Sequence, residues 1–186
     1  MLTLRSARPD DVDTILQLVR ALADYERLGH EVDADAAGFA AALFGPSPRA
    51  FCTLAEWQQP GVASSASPGA PAEAQPRAVG LALWFYNFST FRGRHGIHLE
   101  DLFVLPEYRG RGIGSALLLE LAARCARENL ARLEWQVLDW NTPALEFYAA
   151  LGAEAKSEWV LHRVTGDALT RLAARATHAS PLPPRP

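Results

Sequence analysis

Cysteine is scarce: Cys52 and Cys125 are the only two in 186 residues, far apart and outside any Cys-x-x-Cys or Cys/His spacing. That excludes a disulfide framework and a zinc site; no metal is expected, and the thiols read as reduced ones in a cytoplasmic protein. Long apolar runs are missing too. The N-terminus, MLTLRSARPDD, has no apolar signal-peptide core. The longest apolar-rich run without a charge, AVGLALWFYNFSTF, has 14 residues, too few to span a bilayer. No excess of positive charge exists either: 18 Lys and Arg stand against 21 Asp and Glu, which argues against nucleic acid as the main partner. No internal repeat is present. What remains is an ordinary soluble globular composition, in a chain long enough for one domain and short for two.

The alternation in LTLRSA predicts a first strand. Asp10 or Asp11 then caps a helix with Val12, Ile15, Leu16, Val19 and Leu22 on one face, running to about Leu28. Asp33 opens a second helix, stopped by GPSP, and AFCTLAEW reads as a strand. Residues 58–77 change abruptly to Pro, Ala, Ser and Gly, a composition that supplies no core and predicts a flexible loop. AVGLALWFYNFS and GIHLEDLFVL are strands, SALLLELAARCARENL an apolar-faced helix, and RLEWQVLDW another strand. Asn141 caps a short helix with Pro143 in its first turn and Gly152 at its end. SEWVLHRV reads as a last strand and GDALTRLAARA as a short helix. One domain over residues 1–175 is expected, with a disordered tail over 176–186. This order gives an α/β (α+β) fold, a mixed sheet with helices on its faces.

The chemistry concentrates in LEDLFVLPEYRGRGIGSALL, residues 99–118. A strand feeding a helix through glycines offers free N–H groups and the positive end of a helix dipole to an anion, and Arg109 and Arg111 add charge. A Walker A loop is excluded, since no Lys follows Gly114. A dinucleotide fingerprint is excluded because the third glycine falls one place short and the preceding elements are wrong.

Arg109, Gly112 and Gly114 fit the R/Q-x-x-G-x-G/A signature of the GCN5-related N-acetyltransferases. Together with VLDWNTPALEFYAALGA, LADYE and the Glu-Trp at 158–159, the chain resembles their diamine and thialysine N-acetyltransferase subfamily. The resemblance implies a mostly antiparallel central sheet with helices on both faces, acetyl-CoA as co-substrate, a small-molecule amine as partner, and a homodimer. It assigns the CoA pyrophosphate to Arg109, Gly110, Arg111, Gly112, Ile113, Gly114 and Ser115. Oxyanion donors come from strand backbone at a bulge around Leu102, Phe103 and Val104.

Acetylating an amine poses two proton problems. A lysine-like amine with a pKa of about 10.4 is the free base in only about one molecule in 2,500 at neutral pH, a cost of about 4.6 kcal/mol. A carboxylate near the amine removes that proton. Glu100 and Asp101 end the strand on opposite faces of it, and the resemblance picks Glu100 as the base; a solvated strand-end charge is the alternative. For the departing thiolate, the resemblance gives Tyr148 as acid, beside its use as a core aromatic. Asn141 caps its helix, contacts the CoA arm, or does both. Glu26 and Trp159, with Glu100 and Asp101, match positions lining the amine side, where a carboxylate and an indole face suit a cation; a surface charge and a buried strand Trp are their plain alternatives. Polyamine-acetylating members carry Asp-x-Trp where this chain reads NFSTFRGRHG. Arg92 and Arg94 there favour a lysine-like amino acid over a long polycation. A peptide N-acetyltransferase and a non-catalytic CoA-binding module are the rival functions.

Overall fold

The computed structural model describes residues 1–59 and 76–178; most of the expected loop, residues 60–75, and the end of the expected tail, 179–186, lie outside the described residues. The chain divides into two units, Met1–Gln136 and Val137 onward.

In the first unit, β1 (Leu2–Ser6), β2 (Phe51–Trp57), β3 (Arg77–Ser89) and β4 (Arg94–Val104) form an antiparallel meander, and β5 (Leu133–Trp135) adds to β4 in parallel. The parallel pairing requires a crossover, supplied by α3 (Ile113–Arg127). Helices α1 (Val12–Tyr25) and α2 (Ala36–Phe44) cover one face of the sheet. There Ile15, Leu18, Leu22 and Leu43 pack with Cys52, Leu54, Leu81, Leu83 and Phe103. Helix α3 buries Ile113, Leu117 and Leu121, and its Arg124 guanidinium lies 5.0 Å from the Trp84 ring, on the opposite face from Leu83.

Helix boundaries depart from the sequence pattern for local reasons. Asp11 does not cap α1 through its side chain. Instead it accepts two hydrogen bonds from Arg5, at 2.6 and 2.8 Å, and one from the Arg8 N–H at 2.7 Å. Arg5 also donates to Glu56 at 2.8 Å, so one guanidinium ties β1, β2 and the start of α1. Helix α1 stops at Tyr25, not at Leu28. Arg27 adopts a left-handed φ of 62°, and the Leu28 N–H reaches back to the Ala23 carbonyl at 2.7 Å, the closure of a Schellman-type end. Glu26 is thereby fixed at the helix C-cap. Asp35, rather than Asp33, caps α2 by accepting from the Gly38 N–H at 2.8 Å.

The second unit holds α4 (Thr142–Ala150) and α5 (Gly166–Ala174). The strand expected over RLEWQVLDW ends after Trp135, because residues 138–142 turn instead: the Asn141 N–H bonds the Leu138 carbonyl and the Thr142 N–H that of Trp140, both at 2.9 Å. The strand expected over SEWVLHRV does not form; 157–164 is irregular, with Trp159, Val160 and Leu161 exposed. Alternation specifies a strand's faces, but the strand itself needs a ladder partner, and none is paired to it among the described residues. No described helix is long and apolar enough to cross a membrane.

The Arg5–Asp11 contact yields a stability prediction. Asp11→Ala is expected to cost about 1–2 kcal/mol, as a charge-assisted pair does. Arg5 holds the Asp11 carboxyl below its ordinary range. Its stabilisation is therefore present above about pH 4 and lost as the pH falls through the lowered value. Urea melts of wild type and variant should converge on acidification; a constant gap would assign the contact no charge.

Candidate active site

Strand β4 is interrupted where its chemistry begins. Trp84 pairs with Leu99 and Leu83 with Asp101, so Glu100 is an extra residue, a β-bulge. Its consequence is a change of faces. In a regular strand Leu99 and Asp101 would share a face, and Glu100 would point the other way. Here Asp101 lies opposite Leu83, on the α1 face, while His98 lies opposite Phe85 on that same face. Glu100 Oε2 is 3.7 Å from His98 Nε2, so Glu100 shares this side as well. The expectation of opposite faces for Glu100 and Asp101 is corrected by the bulge. The bulge also sits two residues earlier than expected: Leu102, Phe103 and Val104 pair regularly with Ala82, Leu81 and Gly80.

Three carboxylates gather here, and among the described residues no Lys or Arg is ion-paired with any of them; His98 stands at the Glu100 end. Asp101 is mostly buried, and its carboxyl is pushed up to about 6, first by burial and then by the charges of Glu100 and Glu26. Burial also raises Glu26. Glu100, at the rim, keeps its side chain 54% exposed. Such a group favours an incoming cation that restores the balance of charge.

Beside the acids, the sheet opens. Pairing between β4 and β5 ends at Leu99 and Trp135. The Leu105 N–H donates to the Val79 carbonyl at 2.9 Å, so by alternation the backbone groups of Leu102 and Val104 face away from β3, toward the opened edge. Phe103 offers nothing there, since its backbone faces Leu81 on β3 and its ring is in the core. Arg109 does not extend as a free cation: its Nε donates to the Val104 carbonyl at 3.0 Å and its guanidinium covers the Tyr25 ring at 4.4 Å. Arg111 donates to the Glu107 carbonyl at 3.2 Å and lies 5.3 Å from both the Trp57 and Tyr108 rings.

Gly110 and Gly112 have φ of 72° and 75°, and a Cβ at either would meet nothing within 4 Å. The glycines are required by the turn itself, and the space outside them is open. Gly112 is the N-cap of α3 and provides no side chain to cap it; the first intrahelical bond runs from the Ala116 N–H to the Gly112 carbonyl. The N–H groups of Ile113, Gly114 and Ser115 thus precede the helix's own hydrogen bonding and form an anion cradle. An uncapped cradle next to an opened strand edge fits a long thioester bearing a pyrophosphate.

In the second unit, Asn141 is buried and its Oδ1 accepts from the Ala144 N–H at 3.4 Å, capping α4 as expected. Tyr148 lies on α4 beside Phe147, ring centroids 5.2 Å apart, and Leu145 and Leu151 near it are exposed. Trp159 is 73% exposed, not the buried strand Trp that the sequence pattern allowed. The arginine argument for the substrate is corrected. Arg94 lies six residues before Glu100 on β4, about 20 Å away at ~3.3 Å per residue, and its guanidinium donates to Asn129 at 2.7 Å. At that distance its charge is screened from the acids.

The pattern of the Acetyltransferase (GNAT) family matches residues 17–153. This chain belongs to that family. As a GNAT N-acetyltransferase it is 37% identical over 175 residues to a thialysine N-epsilon-acetyltransferase of Bos taurus, covering 92% of this chain and 97% of the relative. It is 32% identical to an L-ornithine N5-acetyltransferase of Arabidopsis thaliana, covering 89% of this chain and 85% of that protein. An integron cassette protein of V. cholerae has the same fold, with a TM-score of 0.68 at 22% identity, covering 92% of this chain and 97% of that one.

The sequence pattern of this GNAT acetyltransferase left out His98, which lies beside Glu100, and Glu134, which lies at the other nitrogen of its ring. His98 stands two places before Glu100, on the same face of a regular strand, and the bulge then brings Asp101 onto that face as well.

The raised Asp101 carboxyl gives a prediction with a fixed sign. Its ionised form is disfavoured in the folded protein, so wild-type stability should fall as pH rises from about 4 through about 6. Asp101→Asn is expected to be more stable than wild type by about 1–3 kcal/mol at neutral pH, with the gain shrinking toward pH ~4. Thermal melts across that range check it; a variant less stable at neutral pH would contradict the strained charge.

Proposed function

We propose that this acetyltransferase moves the acetyl group of acetyl-CoA to the terminal side-chain amine of a small basic amino acid, of the thialysine or ornithine type. The observation that carries this reading is the acid group of Glu26, Glu100 and Asp101 beside the opened edge of β4, where burial and like charges raise the Asp101 carboxyl. It suits an ammonium group, and the relatives acting on thialysine and L-ornithine support the amino-acid class. We take residues 1–175 as one catalytic domain.

The ammonium docks among the carboxylates, its charge offsetting their mutual repulsion. Glu100, at the exposed rim, takes its proton directly or through one water and releases it to solvent. The free amine attacks the thioester carbonyl, with developing charge on the carbonyl oxygen met by backbone N–H at the opened edge. The C–N bond forms as the C–S bond breaks. Nitrogen loses its second proton to the again ionised Glu100 and so to solvent, sulfur gains one from the Tyr148 hydroxyl, and the tyrosinate recovers a proton from solvent. The pyrophosphate rests on the N–H groups at 113–115, and Asn141 shapes the start of the helix that carries Tyr148.

Direct attack is supported by the state of the thiols. Cys52 is buried, its thiol pushed up to about 12 by burial. Cys125 is also raised by burial, and its Sγ lies 3.7 Å from the Arg132 carbonyl. Neither offers a ready thiolate for an acyl-enzyme.

Thiol release from acetyl-CoA with a panel of ornithine, thialysine, spermidine and a peptide N-terminus tests the reading. The amino acids are expected to give the highest kcat/KM; a rate that no amine raises above background would contradict an amine acetyltransferase, and a preference for the peptide would move the function to that class. Tyr148→Phe keeps the ring and removes the proton. It should lower kcat by about 100-fold with little change in melting temperature, whereas an unchanged kcat would return Tyr148 to packing.

A further inference from the structure

The imidazole of His98 stands between two carboxylates. Its Nε2 is 3.7 Å from Glu100 Oε2 and its Nδ1 is 4.0 Å from Glu134 Oε1. The ring lies against Phe85, centroids 5.0 Å apart and planes 29° apart, and its side chain is largely shielded from water. Its location follows from register: β4 pairs His98 with Phe85 on β3 and with Glu134 on β5. Without the extra residue at Glu100, the imidazole would not share a face with Asp101.

The far carboxylate is itself tied down. Glu134 accepts from Asn87 Nδ2 through Oε1, and its Oε2 is 3.0 Å from Arg132 Nε. Its charge is therefore already partnered, and it faces Nδ1 at 4.0 Å without a hydrogen bond. Glu100 is different: it has no Lys or Arg partner among the described residues, and its charge acts on Asp101 together with that of Glu26. The charged groups facing the ring in this unit are Glu100 from β4, and Glu134 backed by Arg132 from β5; β3 contributes only Phe85 and the Asn87 amide. Helix α1 adds Glu26, which acts on Asp101.

We propose that His98 is a positioning residue for the acetyl transfer, its imidazole, seated on Phe85 and facing Glu134, holding the Glu100 carboxylate in place at the rim of the acid group when it carries charge. This rests on the reading of Glu100 as the base. The physical case is a matter of which acid gives way. Three carboxylates in one place cannot all stay ionised cheaply. A cation at the Glu100 end favours charge on Glu100 and leaves the deeper Asp101 to carry the proton. A histidine is suited to this because its charge, unlike that of Lys or Arg, is switchable in the range where enzymes work.

Two substitutions with opposite signs separate charge from packing. His98→Gln keeps a polar group of similar reach but removes the cation. The acidic limb of the kcat/KM–pH profile should then move up by about half a pH unit, allowing for screening at an exposed rim. His98→Lys supplies a permanent cation and should move that limb down. Glu134→Gln leaves β4 and the Phe85 contact intact and should shift it in the same direction as His98→Gln, by less. Carbon-13 titration of the Glu100 carboxyl in the protein without substrates reads the same shifts independently of turnover. If the wild type acetylates no amine, the proposed function fails while this titration still decides the role of His98. Shifts of opposite sign for the Gln and Lys variants support it. Limbs and titration curves that stay put, or that move the same way in both variants, overturn it.

Discussion

One inserted residue sets up the site. Up to Leu99, β4 keeps step with β3 and β5; past Glu100 its side chains exchange faces and its outer edge is unpaired. A bulge leaves a residue without a partner, bends the strand and increases its twist. Here the bent half of β4 turns its backbone toward open space while Phe103 anchors it in the α1 core. The acids gather because of the same step: Glu100 is the inserted residue, Asp101 is rotated onto the α1 face, and Glu26 is brought in by the left-handed closure of α1 at Arg27.

The first unit thus sets two charges of opposite sign near the end of one strand. Uncapped N–H groups and the dipole of α3 offer positive potential to a phosphate, whereas the three carboxylates offer negative potential to an ammonium. An acyl donor bearing a pyrophosphate and an acceptor bearing a cation would each be drawn to its own side, with the opened edge between them. The arginines of the glycine loop contribute less free charge than their number suggests. Arg109 ties the loop to Val104 and Tyr25, and Arg111 lies against Trp57 and Tyr108. Burying Asp101 beside two other acids has a cost in stability, seen in its raised carboxyl. Strain of this kind is common at sites where binding of the ligand relieves it.

Elements whose residues carry their own periodicity were legible in the sequence. The apolar faces of α1 and α3, the long alternating strands and the glycine turn before α3 all stand where their patterns put them, because each reports a local preference or a single buried face. Features that depend on a distant neighbour were not legible. The bulge at Glu100 exists only relative to β3, so the faces of Glu100 and Asp101 were misassigned. Asp11 carried a good N-cap pattern, yet Arg5 and Glu56 from two strands compete for it and win. SEWVLHRV has the alternation of a strand without a ladder to join. The partner that holds Arg94, Asn129, lies 35 residues away, and the local pattern does not show it.

A crystal structure of the protein with acetyl-CoA tests the central claim most directly. If the bulge makes the site, Glu100 will be unpaired between Leu99 and Asp101, both carboxyl groups will lie on the α1 face, and the thioester will sit along the edge at Leu102–Val104 with its pyrophosphate on the N–H groups of 113–115. An unbroken β3–β4 ladder, with Glu100 and Asp101 on opposite faces and the thioester elsewhere, would contradict it.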